Sequence, residues 1–207
     1  DSSLNKIVEG NKRFVSGNLA ERNCGDVRRK ELTTGQKPFA IVVTCSDSRV
    51  PPETVFDQGL GDIFVVRVAG NVLDPVVLGS IEYAAEHLHA PLLILMGHEK
   101  CGAVTAAVEA KGEPEGNIGA IVKKILPAVK KARKQGGTKD EIVTNAIREN
   151  VFQSYEDMVK ASPVLKHMIA KGELKVVEAL YHLGSGEVEI MKVEAVSPAA
   201  KEHAIAH

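Results

Sequence analysis

The sequence predicts an α/β fold with a mostly parallel central sheet, an antiparallel edge strand and flanking helices. Short apolar segments alternate along the chain with longer segments whose apolar residues recur at helical spacing. The first apolar segments are continuous, which is typical of parallel strands covered on both faces. Near the C-terminus, two further apolar segments flank Leu183–Glu187, a glycine-containing stretch typical of a hairpin loop.

Five strands are predicted from these apolar segments. Glycine or proline stands close to the first three, and the last two are joined by the hairpin loop. The predicted strands are Phe39–Thr44, Ile63–Val68, Leu92–Met96, Leu174–Tyr181 and Val188–Val193.

Helices are predicted between the strands from apolar stripes and from end signals. Asp74 followed by Pro75 is typical of a helix start, and Thr138 with Glu141 forms a capping box. Pro127 lies inside one helical segment, where a kink is expected. The predicted helices cover Leu4 to Val15, Pro75 to Leu88, Lys100 to about Lys111, Ile118 to Ala132, and a last segment from Thr138 to Met158.

The 207 residues, 44% of them hydrophobic, fit a single domain. Within it we expect an N-terminal helical arm (1–35), a core (36–112), a helical segment (113–172) and a C-terminal hairpin and tail (173–207). No apolar segment is long enough to span a membrane, and no signal peptide is visible. We expect a cytoplasmic protein. Because the chain starts at Asp1 and not at Met, a periplasmic or secreted protein that has lost a leader is the alternative.

Composition excludes several classes of function. Lys and Arg number 26 and Asp and Glu 27, a balance that argues against a nucleic-acid-binding groove. Aromatic residues make up 4% of the chain and Trp is absent, which argues against a surface that stacks on bases or sugars. Three cysteines are too few for a disulfide scaffold.

Two short stretches contain the residues suited to chemistry. Thr44–Pro52 follows the first predicted strand, and Gly97–Gly102 follows the third. Because ligand sites in open α/β sheets form beyond the carboxyl ends of the strands, we expect the two stretches to meet.

The two stretches supply a ligand set for zinc. Cys45 and Cys101 offer thiolates and His98 offers an imidazole, a combination that suits tetrahedral Zn²⁺. Three protein ligands leave a fourth position open, as in catalytic zinc sites. The alternatives are a disulfide between Cys45 and Cys101, or ordinary buried side chains.

Asp47 and Arg49 lie two residues apart, so an extended stretch places them on the same side. Arginine beside a carboxylate keeps it ionised and oriented. We expect Asp47 to orient a zinc-bound hydroxide and Arg49 to keep Asp47 from the metal. If Asp47 did take the fourth position, the site would be closed, and we hypothesise such an inactive form at low pH.

These motifs resemble those of the β-class carbonic anhydrases. The likeness rests on Cys45-x-Asp47-x-Arg49 with His98-x-x-Cys101 and continues through Phe56–Asp62, Phe64–Asn71 and Gly79–Ala84. It implies reversible hydration of CO2 to bicarbonate and a proton, with one zinc per chain on Cys45, His98 and Cys101.

The resemblance also implies a substrate pocket. Phe64 and Tyr83 match apolar residues that cover CO2, commonly from a neighbouring subunit, and the backbone N–H of Gly102 matches one that holds bicarbonate. Gly59 stands near the position of a glutamine donor in plant-type members, so that donor is missing or shifted to Gln58. Ala69 stands where valine is common. These departures place the chain nearer the bacterial-type branch.

The resemblance further implies a homodimer that can pair into a homotetramer, without nucleic-acid or membrane partners. The N-terminal helix would pack on the partner subunit, or alternatively on its own sheet. Two other functions stay open, a zinc hydrolase acting on CS2 or COS and a non-catalytic zinc-binding protein. A nucleotide-binding domain is disfavoured, because the glycine-rich strand-to-helix turn of that class is missing.

Overall fold

The computed structural model describes residues 2–112 and 114–194 and contains a five-stranded sheet. The strand order is β2-β1-β3-β4-β5, with β1 to β4 mutually parallel where they pair and β5 antiparallel to β4. This confirms the predicted fold class. The strands are β1 (Ala40–Thr44), β2 (Ile63–Arg67), β3 (Leu92–His98), β4 (Lys175–Tyr181) and β5 (Val188–Glu194). The predicted tail beyond residue 194 lies outside the described residues.

Eight α-helices surround this sheet in the described part of the chain. Short 3₁₀ turns cover Leu32–Thr34 and Ala69–Asn71, and a π-helical turn covers Tyr83–His87. The helices are α1 (Ser2–Ser16), α2 (Asp26–Glu31), α3 (Pro52–Val55), α4 (Pro75–Glu82), α5 (Gly102–Glu109), α6 (Ile118–Gln135), α7 (Lys139–Ala161) and α8 (Pro163–Lys171).

The sequence signals for helix ends are confirmed, whereas several bounds differ. The Asp74 side chain accepts from the Val77 N–H, and the Thr138–Glu141 capping box is complete. Helix α6 continues through Pro127 as one helix. The short helices α2 and α3 and the separate α8 have too few residues to show a helical period, and the sequence did not predict them.

Helices cover both faces of the sheet. On one face, Ile7 of α1 and Phe56 pack against residues of β1 and β3 such as Val42 and Ile94. On the other face, α4, α7 and α8 contribute buried apolar side chains, among them Ile81, Met158 and Leu165. The sheet is therefore buried on both sides, as its continuous apolar strands predicted.

Helix α1 packs against its own chain, which is the alternative given above, and its contact with a partner subunit stays a prediction. Ile7 is 1% exposed, and the Asn11 side chain bonds to the backbone of Val55, Gly186 and Val188. Gly10 lies so close to the Phe56 carbonyl that a Cβ would stand 1.8 Å from its oxygen. These long-range contacts, which no local pattern reveals, fix the arm against the hairpin.

None of the helices in the described residues is long and apolar enough to cross a membrane.

Candidate metal centre

The three predicted ligands meet at the carboxyl end of the sheet. Cys45 follows β1, His98 is the last residue of β3, and Cys101 directly precedes α5. Because β1 pairs with β3 in parallel, with Thr44 opposite Met96, the two strand ends are adjacent. One ligand atom of each residue lies within 4.8 Å of the others, and all three residues are buried.

The His98 ring is oriented with a free nitrogen at this point. Its Nδ1 lies 2.8 Å from the carbonyl oxygen of Glu99, which can only accept, so Nδ1 holds the proton and Nε2 keeps its lone pair. Nε2 is buried and has no hydrogen-bond partner among the described residues. A buried lone pair beside two sulfur atoms fits a soft or borderline metal ion such as Zn²⁺.

The two thiols are free, so the disulfide alternative is wrong. The pKa of Cys45 is lowered by a hydrogen bond from the Cys101 thiol, with a further contribution from the Gly70 N–H. Conversely, the hydrogen bond to Cys45 and burial raise the pKa of Cys101. Two adjacent thiols thus ionise in sequence, and a cation between them would favour both thiolates.

Asp47 and Arg49 form the expected pair beside these ligands. Arg49 donates from Nε to Asp47 Oδ1 at 2.9 Å and from Nη2 to Oδ2 at 2.7 Å. The hydrogen bonds from Arg49 hold the pKa of the Asp47 carboxyl well below its usual range. Oδ2 also lies 3.9 Å from His98 Nε2, so the carboxylate faces the metal position while it is bound to arginine. The closed form stays a prediction.

Arg67, at the end of β2, supports the backbone of this loop. Its Nε donates to the Cys45 carbonyl at 3.0 Å, and its Nη2 donates to the Asp47 carbonyl. Arg49 likewise reaches the Lys100 carbonyl at 3.4 Å. The two arginines therefore tie the loop after β1 to β2 and to the loop after β3.

A network of charged side chains holds the segment that follows β3, which contains Glu99. Glu99 accepts from the Leu183 N–H and contacts His182 Nδ1 at 2.8 Å, while His182 Nε2 contacts Glu189 at 3.1 Å. Arg148 binds the same Glu189 through two hydrogen bonds. The hydrogen bond to Glu99, and to a smaller extent the hydrogen bond to Glu189, raises the pKa of His182. The segment His98–Cys101, which contains two of the candidate ligands, is thereby fixed to α7 and β5.

The residues predicted to line the substrate pocket lie in different elements of the fold. Gly102 opens α5 next to Cys101, and Ala69 belongs to the turn whose Gly70 N–H donates to Cys45 Sγ at 3.2 Å. Phe64 lies on the edge strand β2, with its ring 6.2 Å from that of Tyr83. Gly59 donates to Asp62 and neighbours Asn23, in the loop under the N-terminal arm.

Sequence reasoning missed the residues that support the ligands from behind, namely Gly70, Asn150, Ser154, Glu99 and Arg67. One signal in the sequence could have identified two of them, because the polar residues Asn150 and Ser154 interrupt the apolar stripe of the last long helix. Such residues are typically hydrogen-bonded in the interior. Their partners, however, lie about 80 residues away and are visible only in the fold.

Comparison with known proteins agrees with this geometry. Residues 40–188 match the family model described as carbonic anhydrase. The chain is 42% identical to a carbonic anhydrase of Mycolicibacterium smegmatis and 41% identical to carbonic anhydrase 2 of Mycobacterium tuberculosis. These matches cover 89% and 87% of both chains, respectively.

A solved structure extends the likeness to the fold. The β-carbonic anhydrase CafA of Aspergillus fumigatus is 29% identical and superposes with a TM-score of 0.73 over 86% of each chain. Sequence, fold and the buried Cys-His-Cys set thus agree. The chain belongs to the carbonic anhydrase family, as a β-class enzyme that hydrates CO2 to bicarbonate and a proton.

Proposed function

We propose that Cys45, His98 and Cys101 hold one Zn²⁺ per chain and that Asp47 and Arg49 orient the nucleophile for CO2. The observation that supports this most directly is the buried, unpartnered Nε2 of His98 beside two sulfur atoms. A Zn²⁺ ion in such a site supplies Lewis acidity and a nucleophile at neutral pH. Two thiolates and a neutral imidazole balance its charge and leave one coordination position for chemistry.

Asp47 is the residue suited to orient that nucleophile. Both its oxygens are held by Arg49, so the carboxylate is ionised and can accept a further hydrogen bond at Oδ2. The proton of the nucleophile would then point at Oδ2, which leaves an oxygen lone pair free to face CO2. Arg49, by holding both oxygens, disfavours direct binding of Asp47 to the metal.

Gly102 is suited to hold the product. It is the first residue of α5, and the first N–H groups of a helix lack acceptors within that helix. The N-terminal end of a helix also favours an anion. A bicarbonate oxygen near Cys101 would find its donor at the Gly102 N–H.

We further propose that the active form is at least a homodimer formed through β2. Within residues 2–112 and 114–194 this strand pairs with one neighbour, β1, although the continuous apolar strands of a parallel sheet are normally covered. On α4, which contacts β2, Val76 is 78% exposed, and in the turn that follows α4 Tyr83 is 48% exposed with its ring near that of Phe64. Apolar exposure of this kind marks an interface, and burying it would give CO2 a dry wall.

Metal content measured together with turnover tests the proposal. We expect one zinc per chain, loss of CO2 hydration on chelation and recovery on adding Zn²⁺. Stoichiometric zinc without turnover would support the non-catalytic alternative, and faster hydrolysis of CS2 than hydration of CO2 would support the related hydrolase. Turnover that is independent of metal would contradict the site itself. The cytoplasmic location stays a prediction, to be checked by cell fractionation.

A further inference from the structure

The turn Val68–Asn71, after β2, lies directly against one of the metal ligands. Its Gly70 N–H donates to Cys45 Sγ at 3.2 Å. Gly70 has φ 70° and Asn71 has φ 44°, so two successive residues adopt the left-handed region, which asparagine visits at some cost. Such a conformation persists only where the surroundings hold it in place.

Helix α7 is the element that holds this turn. Asn150 donates from Nδ2 to the Gly70 carbonyl at 2.8 Å, and Ser154 donates from Oγ to the Asn71 carbonyl at 3.2 Å. Ser154 Oγ also lies 2.9 Å from the Asn150 carbonyl. The two side chains are four residues apart, on one face of the helix, and therefore reach consecutive carbonyls of the same turn.

The side chains of Asn150 and Ser154 are buried, where a polar group without a hydrogen bond lowers the stability of the fold. Asn150 is 3% exposed and Ser154 is 5% exposed, between the buried apolar residues Ile147, Val151 and Met158. A buried amide or hydroxyl destabilises a protein unless it is hydrogen-bonded. The Asn150 amide bonds to this turn, and the single Ser154 hydroxyl proton is shared between the Asn71 carbonyl of the turn and the Asn150 carbonyl of its own helix. An apolar stripe without interruption would cover the sheet equally well, so packing alone does not account for these residue types.

The space around the turn also constrains it. A Cβ on Gly70 would stand 2.7 Å from Ile125 Cδ1 and 3.1 Å from the Ala103 Cβ. Helices α5 and α6 thus close one side of the turn, while α7 binds its carbonyls. In this arrangement the Gly70 N–H points toward the sulfur of Cys45.

We infer that Asn150 and Ser154 are positioning residues for the metal centre, which hold the Gly70 N–H on the Cys45 thiolate and so set how strongly that sulfur donates electrons to the metal. The inference rests on the proposed metal centre. An N–H bond to a thiolate withdraws electron density from sulfur, which leaves the metal a stronger Lewis acid. Groups behind the ligands commonly change activity by 10- to 100-fold in this way.

Cobalt substitution gives a readout that is independent of activity. In the Co²⁺ form of the whole enzyme, the energy of the thiolate-to-cobalt charge-transfer band reports the electron density on sulfur. We expect Asn150→Ala to shift this band to longer wavelength and to lower kcat of the zinc enzyme about 10-fold. Ser154→Ala should give a smaller shift in the same direction, and Ser154→Thr, which keeps the hydroxyl, should restore the wild-type band.

Asn145→Ala, on the same helix five residues earlier, is the matched control and should leave the band unchanged. An unshifted band in Asn150→Ala or Ser154→Ala that binds one Co²⁺ per chain, even with reduced thermal stability, would overturn the inference. If Asn150→Ala does not fold, the comparison of Ser154→Ala with Ser154→Thr decides by the same criterion. Failure of the wild-type protein to bind Co²⁺ or Zn²⁺ would instead refute the metal centre.

Discussion

The Asp47 carboxylate is bound by Arg49 through two parallel hydrogen bonds, of 2.9 and 2.7 Å, while its Oδ2 lies 3.9 Å from the free nitrogen of His98. The Asp47 carboxylate thus faces the proposed metal position, while its hydrogen bonds to Arg49 disfavour direct binding to the metal. Arginine holds both carboxylate oxygens, so Asp47 is oriented by a neighbour in its own loop.

Replacing Asp47 by asparagine should leave the metal in place and reduce turnover. We expect Asp47→Asn to retain one zinc per chain, because three ligands remain, and to lower kcat/KM about 100-fold, because a neutral amide is a poorer acceptor than an ionised carboxylate. Stopped-flow CO2 hydration and metal analysis check both expectations. Arg49→Lys, which keeps the charge but loses the fork geometry, should show a milder loss. Wild-type turnover in Asp47→Asn would remove Asp47 from the mechanism.

Replacing a metal thiolate should remove the metal and the activity together. In Cys101→Ser a poor oxygen ligand replaces a buried sulfur, so zinc content and turnover should fall in parallel. Cys24→Ser is the matched control, since Cys24 is exposed and lies outside the Cys45-His98-Cys101 group. Full zinc occupancy with normal turnover in Cys101→Ser would contradict the assigned ligand set.

The buried Glu178 on β4 should make stability depend on pH. Glu178 is 1% exposed. Its burial is the main cause that raises its pKa from 4.5 to about 7, and the negative charge of the nearby Glu194 is the second. The positive charge of Lys192 opposes this rise. The folded chain therefore keeps a proton that the unfolded chain releases between those values. This contribution to stability is complete below about pH 4.5 and is lost as the pH rises through about 7.

Glu178→Gln should accordingly stabilise the protein at pH 8 by roughly 2 kcal/mol, and much less at pH 5. Chemical denaturation at the two pH values measures the difference. The exposed Glu173 lies just before the same strand, and Glu173→Gln should have little effect at either pH. An equal gain from Glu178→Gln at both pH values would show that the carboxyl does not titrate as stated.

A charge on the exposed surface of α4, the helix that contacts β2, should weaken the proposed dimer. Val76 is 78% exposed in the single chain, and a lysine there would have to be buried in the interface. Burying an unpaired charge costs several kcal/mol, so Val76→Lys should shift sedimentation toward the monomer and lower activity with it. Ile118→Lys, at an exposed apolar position on α6, is the control and should sediment as the wild type. Unchanged sedimentation of Val76→Lys would place the interface elsewhere.

The sequence by itself determined the strands, the main helix starts and the candidate ligand set, because these depend on local patterns. Continuous apolar runs identified β1 to β3, Asp74 and Thr138 marked helix starts, and three soft ligands followed two strand ends. The tertiary structure decided which distant groups meet. It extended β3 to His98 by pairing with β4, placed α1 on its own hairpin, and brought Asn150 to the turn that donates to Cys45. These contacts depend on the packing of segments far apart in the chain, and no periodicity within one segment encodes them.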